Sequence, residues 1–137
     1  EHVVPITLKC PDWVSVAEMF LATPYLWGGR SCWGIDCSGL VQLSLQAAGR
    51  SCPRDSDMQA SMASDTLDPA SRLERGDLIF WRGHVGIMVD ADVILHANGH
   101  HMAVISEPLA DAVTRIAGNE FGAVTRRARL PGPQSNP

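Results

Sequence analysis

Gly76-Asp77-Leu78-Ile79-Phe80-Trp81-Arg82-Gly83-His84-Val85-Gly86-Ile87-Met88-Val89 is the stretch on which the fold turns. At Gly76 the sequence changes period, and the residues read as two strands, Asp77–Trp81 and His84–Val89, joined at Arg82-Gly83. Asp90-Ala91-Asp92 is a tight connection into a strand over Val93–Ala97. Met102–Ile105 reads as a fourth strand, Glu107–Val113 as a short helix and Ala123–Ala128 as a closing strand. Upstream the pattern is helical. Asp12 caps a helix over Trp13–Thr23, where Val14, Ala17, Phe20 and Leu21 share one face, and Pro24 stops it. Asp36 caps a second helix over Cys37–Ala48, with Leu40, Val41, Leu45 and Ala48 as its buried stripe and Gly49 as its stop. Between the two helices lies a Gly- and Trp-rich loop, which reads either as an aromatic-stapled connection or as an ordered loop of the kind that carries chemistry. Ser56 or Asp57 caps a short helix through Met62, and 64–75 reads as irregular. Helices first and an antiparallel sheet second define an α+β domain.

The bulk numbers bound the alternatives. A chain of 137 residues, 45% hydrophobic, fits one domain with a continuous core. A net charge of -4 argues against a nucleic-acid partner. No apolar run approaches the roughly 20 residues that span a bilayer, so no transmembrane segment is expected. Residues 1–11 read as an extended lead-in or linker remnant, 12–130 as the domain and 131–137 as a flexible tail. The chain starts at Glu1 and carries no export-signal pattern, which leaves a removed leader and the compartment open. Cys10, Cys32, Cys37 and Cys52 contain no C-x-x-C pair, so a structural zinc knuckle is not expected.

Cys37 stands in the first turn of its helix, where the macrodipole and unpaired N–H groups favour a thiolate and can hold an oxyanion. Asp36 beside it opposes that charge unless its carboxylate turns into the capping bond or toward a substrate. His84 opens one strand and His96 nearly closes the next. Pairing centred on Asp90 sets them directly opposite, and a centre between Asp90 and Ala91 offsets them by one. Two neighbouring imidazoles suit a base and the group that orients it. Such a Cys–His pair is expected to lower the thiol pKa and raise that of the imidazole. His100 and His101 follow in a loop and read as solvated rather than as metal ligands; no metal and no cofactor is expected.

Taken in order, Thr23-Pro24-Tyr25-Leu26-Trp27-Gly28-Gly29, Gly34-Ile35-Asp36-Cys37-Ser38-Gly39-Leu40-Val41, Arg75-Gly76-Asp77-Leu78-Ile79-Phe80, Gly83-His84-Val85-Gly86-Ile87 and Leu95-His96-Ala97 resemble the NlpC/P60 cysteine peptidases. The resemblance implies a papain-like fold and a catalytic set of Cys37, His84 and His96. It places Tyr25 near the oxyanion, Asp36 and Ser38 in the pocket for a substrate amine or peptide backbone, and Arg54-Asp55-Ser56 on the acceptor side. The implied substrate is the peptidoglycan stem peptide or muropeptide. The implied bond joins γ-D-glutamate to diaminopimelate or lysine and is cut through a thioester. A wall-peptide amidase or acyltransferase of the same fold is the alternative, as is a catalytically silent peptide- or zinc-binding module. Many relatives carry SH3-like domains ahead of the peptidase, and the extended start is consistent with a cut linker; the oligomeric state is left open.

Overall fold

Leu78, Ile79, Phe80 and Trp81 are all buried, so both faces of their strand must be covered. Leu78 and Phe80 join one core cluster with Trp13, Val14, Ala17, Leu40, Val41 and Leu45, while Ile79 and Trp81 join a second with Leu109, Ala112 and Ile116. The apolar run thus becomes the middle layer of three. This computed structural model describes residues 10–63, 65–119 and 121–132.

The elements run α1 (Trp13–Glu18), β1 (Arg30–Ser31), β2 (Gly34–Ile35), α2 (Cys37–Ala47), α3 (Ser56–Met62), β3 (Asp65–Thr66), β4 (Leu78–Trp81), β5 (His84–Met88), β6 (Val93–Asn98), β7 (Ala103–Pro108), α4 (Leu109–Asn119) and β8 (Arg126–Arg129). β1 and β2 form a small hairpin, and the main antiparallel sheet has the order β3-β8-β4-β5-β6-β7. α1 and α2 cover one face and α4 the other. The α+β class and an antiparallel sheet after the helices agree with the sequence.

Several boundaries differ. The first helix stops at Glu18 because Ala22 N–H turns to Val104 O at 2.9 Å and Val104 N–H returns to Thr23 O at 2.9 Å. That pairing against β7 replaces the last helical turn and leaves Leu21 exposed, off the expected buried face. α2 keeps the expected start and ends at Ala47, with Ala48 only partly buried. Asp55, not Ser56 or Asp57, takes the N-cap position of α3, without a side-chain capping bond. The stretch read as irregular contains β3, which pairs with β8. The fourth strand runs on to Pro108, because Glu107 pairs with Ile94 across the sheet and the helix begins only at Leu109. The closing strand begins at Arg126 rather than Ala123. Of the expected lead-in and tail, residues 1–9 and 133–137 lie outside the described residues.

The hairpin is centred near Asp90 or Ala91 as expected, but its register matches neither of the two pairings set out for His84 and His96. Ile87 pairs with Leu95 and Met88 with Ile94, which centres the turn on Ala91. His84 and His96 are therefore diagonal neighbours on one face, two positions from direct opposition, a separation long side chains still bridge. Gly86 makes room for this. A Cβ there would stand 2.4 Å from Ile94 Cδ1 and 3.3 Å from His96 Cβ. Gly86→Ala should therefore overpack the sheet and cost about 1–3 kcal/mol in denaturant unfolding. Gly118→Ala, in an open position on α4 with nothing within 4 Å, should instead stabilise by up to about 1 kcal/mol.

Candidate active site

The start of α2 is fixed by one carboxylate. Asp36 Oδ1 accepts from Gly39 N at 2.7 Å, and Oδ2 accepts from Gly28 N at 3.0 Å. Arg54 then donates to both oxygens, each at 2.9 Å, and to Ser38 Oγ at 2.9 Å. Asp36 thus turns into the capping bond, the first of the two orientations expected, and Arg54 neutralises it. Gly39 allows the loop to close on the helix: a Cβ on it would meet Gly29 O at 2.6 Å and Asp36 Oδ1 at 2.9 Å. The loop is not stapled by its aromatics, since Trp27 and Trp33 are 86% and 87% exposed. Its hold on α2 comes from backbone contacts, including Asp36 N to Gly29 O at 3.1 Å.

Cys37 is buried directly after this cap. Burial pushes its thiol up to about 11, with the Asp36 charge adding to that, while the N–H groups of Val85, Ser38 and Cys37 itself pull the other way. The shift is thus upward rather than the expected downward one, because desolvation outweighs the helix terminus here. These three N–H groups favour negative charge at Sγ. Val85 lies one residue past His84, so the thiol sits against the start of β5.

The two imidazoles meet. His84 Nε2 lies 2.7 Å from His96 Nδ1, with ring centroids 5.0 Å apart. His84 is enclosed by Phe121, stacked parallel at 5.3 Å, and by Trp81 at 5.4 Å. Burial lowers its pKa to about 3, with His96 and Arg115 acting the same way and Glu107 opposing. Both shifts run opposite to those expected for a thiolate–imidazolium pair, the thiol raised and the imidazole lowered, each chiefly by burial. Among the described residues no hydrogen bond joins Cys37 to either imidazole.

Tyr25 lies partly buried between β2, where it bridges Ile35, and the β6–β7 turn, where its N–H donates to Met102 O at 3.0 Å. His100 is exposed and His101 donates through its N–H to Asn98 Oδ1 at 2.8 Å, so both stay on that turn. Asp55 and Ser56 open α3, while Arg54 alone of that trio reaches Asp36 and Ser38.

The sequence reading missed Glu107 and Arg115. Glu107 Oε2 lies 2.7 Å from His96 Nε2, and Arg115 binds both carboxylate oxygens at 2.6 and 2.8 Å. A helix drawn from Glu107 hid this, although Val104-Ile105-Ser106-Glu107 carries a strand up to Pro108. Phe121 had no sequence signal, since only its approach to β5 gives it a role.

The NlpC/P60 family profile matches residues 22–117, which spans all these groups except Phe121. The chain belongs to the NlpC/P60 family. It is 37% identical over 94 residues to a gamma-D-glutamyl-L-lysine dipeptidyl-peptidase of Bacillus subtilis, covering 63% of this chain and 31% of that relative. It is likewise 37% identical over 87 residues to dipeptidyl-peptidase 6 of Lysinibacillus sphaericus, covering 62% of this chain and 31% of the relative. The chain thus spans about a third of the length of these curated relatives. Among solved structures it resembles an NlpC/P60 family protein from Bacillus cereus, with TM-score 0.72, 29% identity, and 88% of this chain and 40% of that one covered. It also resembles the peptidoglycan hydrolase RipB of Mycobacterium tuberculosis, with TM-score 0.70, 28% identity, and 87% and 63% covered. The architecture is accordingly the papain-like α+β fold of NlpC/P60 domains.

The buried titratable groups of this NlpC/P60 domain give its stability a pH dependence of definite sign. His84 takes up a proton near 6.5 when unfolded and near 3 when folded, so the stability it contributes is full above 6.5 and is lost as pH falls toward 3. Glu107 is also lowered, from 4.5 to about 2. Its desolvation works against that shift, and hydrogen bonds from Arg115 and His96 overcome it. Its contribution is full above 4.5 and is lost as pH falls toward 2. Thermal unfolding followed from pH 7 to pH 5 should show a falling midpoint, and His84→Gln should flatten that slope.

Proposed function

We propose that the chain is a cysteine peptidase that hydrolyses peptidoglycan stem peptides at the γ-D-glutamyl–diamino acid bond, the diamino acid being diaminopimelate or lysine. The observation that carries the reading is a buried thiol at a capped helix start, next in space to the strand that opens with His84, itself hydrogen-bonded to His96. Family membership and the name of the Bacillus subtilis relative, a gamma-D-glutamyl-L-lysine dipeptidyl-peptidase, support the choice of bond.

The neutral resting groups define the chemistry. Cys37 Sγ attacks the amide carbonyl while its proton passes to His84, so charge separates only as the carbon–sulfur bond forms. The N–H groups near Sγ, assisted by Tyr25, receive the oxyanion. His84 then returns the proton to the departing amine, leaving a thioester. Water attacks that thioester, gives its proton to His84 and releases the acid, and the thiol regains the proton. Asp36 and Ser38, held by Arg54, form the polar wall that meets the substrate's amine or backbone.

Muropeptides incubated with the chain and read by mass should lose the peptide beyond γ-D-glutamate. Cys37→Ala should keep its fold and show no turnover. Cleavage at the sugar–L-alanine amide would make the protein an amidase, transfer of the acyl group to an added amine would make it an acyltransferase, and unchanged muropeptides would leave a silent binding module.

A further inference from the structure

We propose that Glu107 is a positioning residue that fixes the proton arrangement of both imidazoles, so that His84 presents an unprotonated Nδ1. The inference rests on the cysteine-peptidase reading of the site, and it adds a residue and a role to it.

The argument is one of donors and acceptors. An ionised carboxylate only accepts, so at 2.7 Å from Glu107 Oε2 the His96 Nε2 must carry a hydrogen. In the proposed arrangement His96 carries this one hydrogen, so its Nδ1 is bare and His84 Nε2, at 2.7 Å, donates to it. The remaining nitrogen of His84, Nδ1, is left with its lone pair and has no hydrogen-bond partner among the described residues. A proton on Glu107 would reverse every step of this chain: carboxyl O–H to His96 Nε2, His96 Nδ1–H to His84 Nε2, and the hydrogen of His84 moved to Nδ1. A base in that state has nothing at Nδ1 with which to take a thiol proton.

Arg115 from α4 prevents the reversal. Its two N–H groups engage both oxygens of Glu107, which keeps the carboxylate charged in a half-buried place. The groups that face this chain are few. His84 comes from β5, Asn98 from the end of β6, His101 from the β6–β7 turn, Glu107 from β7 and Arg115 from α4. Asn98 Oδ1 is taken by His101 N at 2.8 Å and by its ring at 3.0 Å. The Asn98 amide nitrogen, 3.3 Å from His96 Nε2, sets a donor against a donor and cannot replace Glu107 as the acceptor. Glu107 and Arg115 oppose one another as charges on His84, so their joint effect on it is chiefly directional.

The tautomers are directly readable. Nitrogen-15 spectra of the full chain labelled at histidine, recorded at pH 7, should show His84 protonated at Nε2 and bare at Nδ1, with His96 likewise protonated at Nε2. In Glu107→Gln the carboxamide oxygen should turn to Arg115 and its NH2 group to His96, which flips both rings to the opposite tautomer. kcat on muropeptides should then fall about 10- to 100-fold with KM unchanged. Glu107→Asp, which keeps the charge, should retain the wild-type tautomers and recover part of kcat. A hydrogen on His84 Nδ1 in the wild type, or wild-type tautomers in Glu107→Gln, would overturn the assignment without any need for turnover. The expected tautomers in a protein that cleaves no muropeptide would instead overturn the peptidase reading alone.

Discussion

The carboxylate of Asp36 is the point from which the site is built. It ends the Gly28-Gly29 loop, starts α2 and anchors Arg54 ahead of α3, so three successive segments meet on two oxygen atoms. A capping bond alone contributes about 1 kcal/mol. The greater effect is geometric, because Cys37 follows directly and inherits its position from the cap. Without Arg54 the same carboxylate would be a half-enclosed negative charge beside the nucleophile.

The α2 end of this arrangement was legible because it is local. Asp36, Cys37 and the apolar stripe Leu40, Val41 and Leu45 lie within one helix, and helix starts are written in neighbouring residues. The meeting of His84 and His96 was legible as a pair of strands but not as a register. A one-residue turn shift is invisible in Asp90-Ala91-Asp92, and only the missing Cβ of Gly86 lets the diagonal pair sit close. β3 was hidden because two residues carry no period, and Glu107 because its strand passes without a turn into α4. The helix dipole argument for Cys37 was sound in sign and lost in size, since sequence does not show how completely the thiol is covered.

Burial sets the character of the chemistry. Cys37 and His84 are each held uncharged by the same layering that gives the domain its core, and His96 is fully enclosed between sheet and α4. In the proposed mechanism the proton of the thiol, and later that of the hydrolytic water, passes to His84, whose far nitrogen is held by His96. The apolar stack of Phe121 on His84 adds to this isolation without offering a competing hydrogen bond.

The position of β8 carries a temporal meaning. It is the last strand among the described residues, yet it lies inside the sheet, between β3 and β4, with Thr66 and Leu78 both opposite Ala128. Arg129 from this strand also supplies the cation for Asp77, whose carboxylate is almost wholly enclosed. A growing polypeptide therefore cannot complete its sheet by adding each strand to the edge of the one before. Until residue 129 has emerged from the ribosome, β4 keeps a bare edge and Asp77 lacks its counter-ion. At about 5–20 residues per second that interval spans seconds, during which nearly every side chain of the site already exists and its scaffold does not.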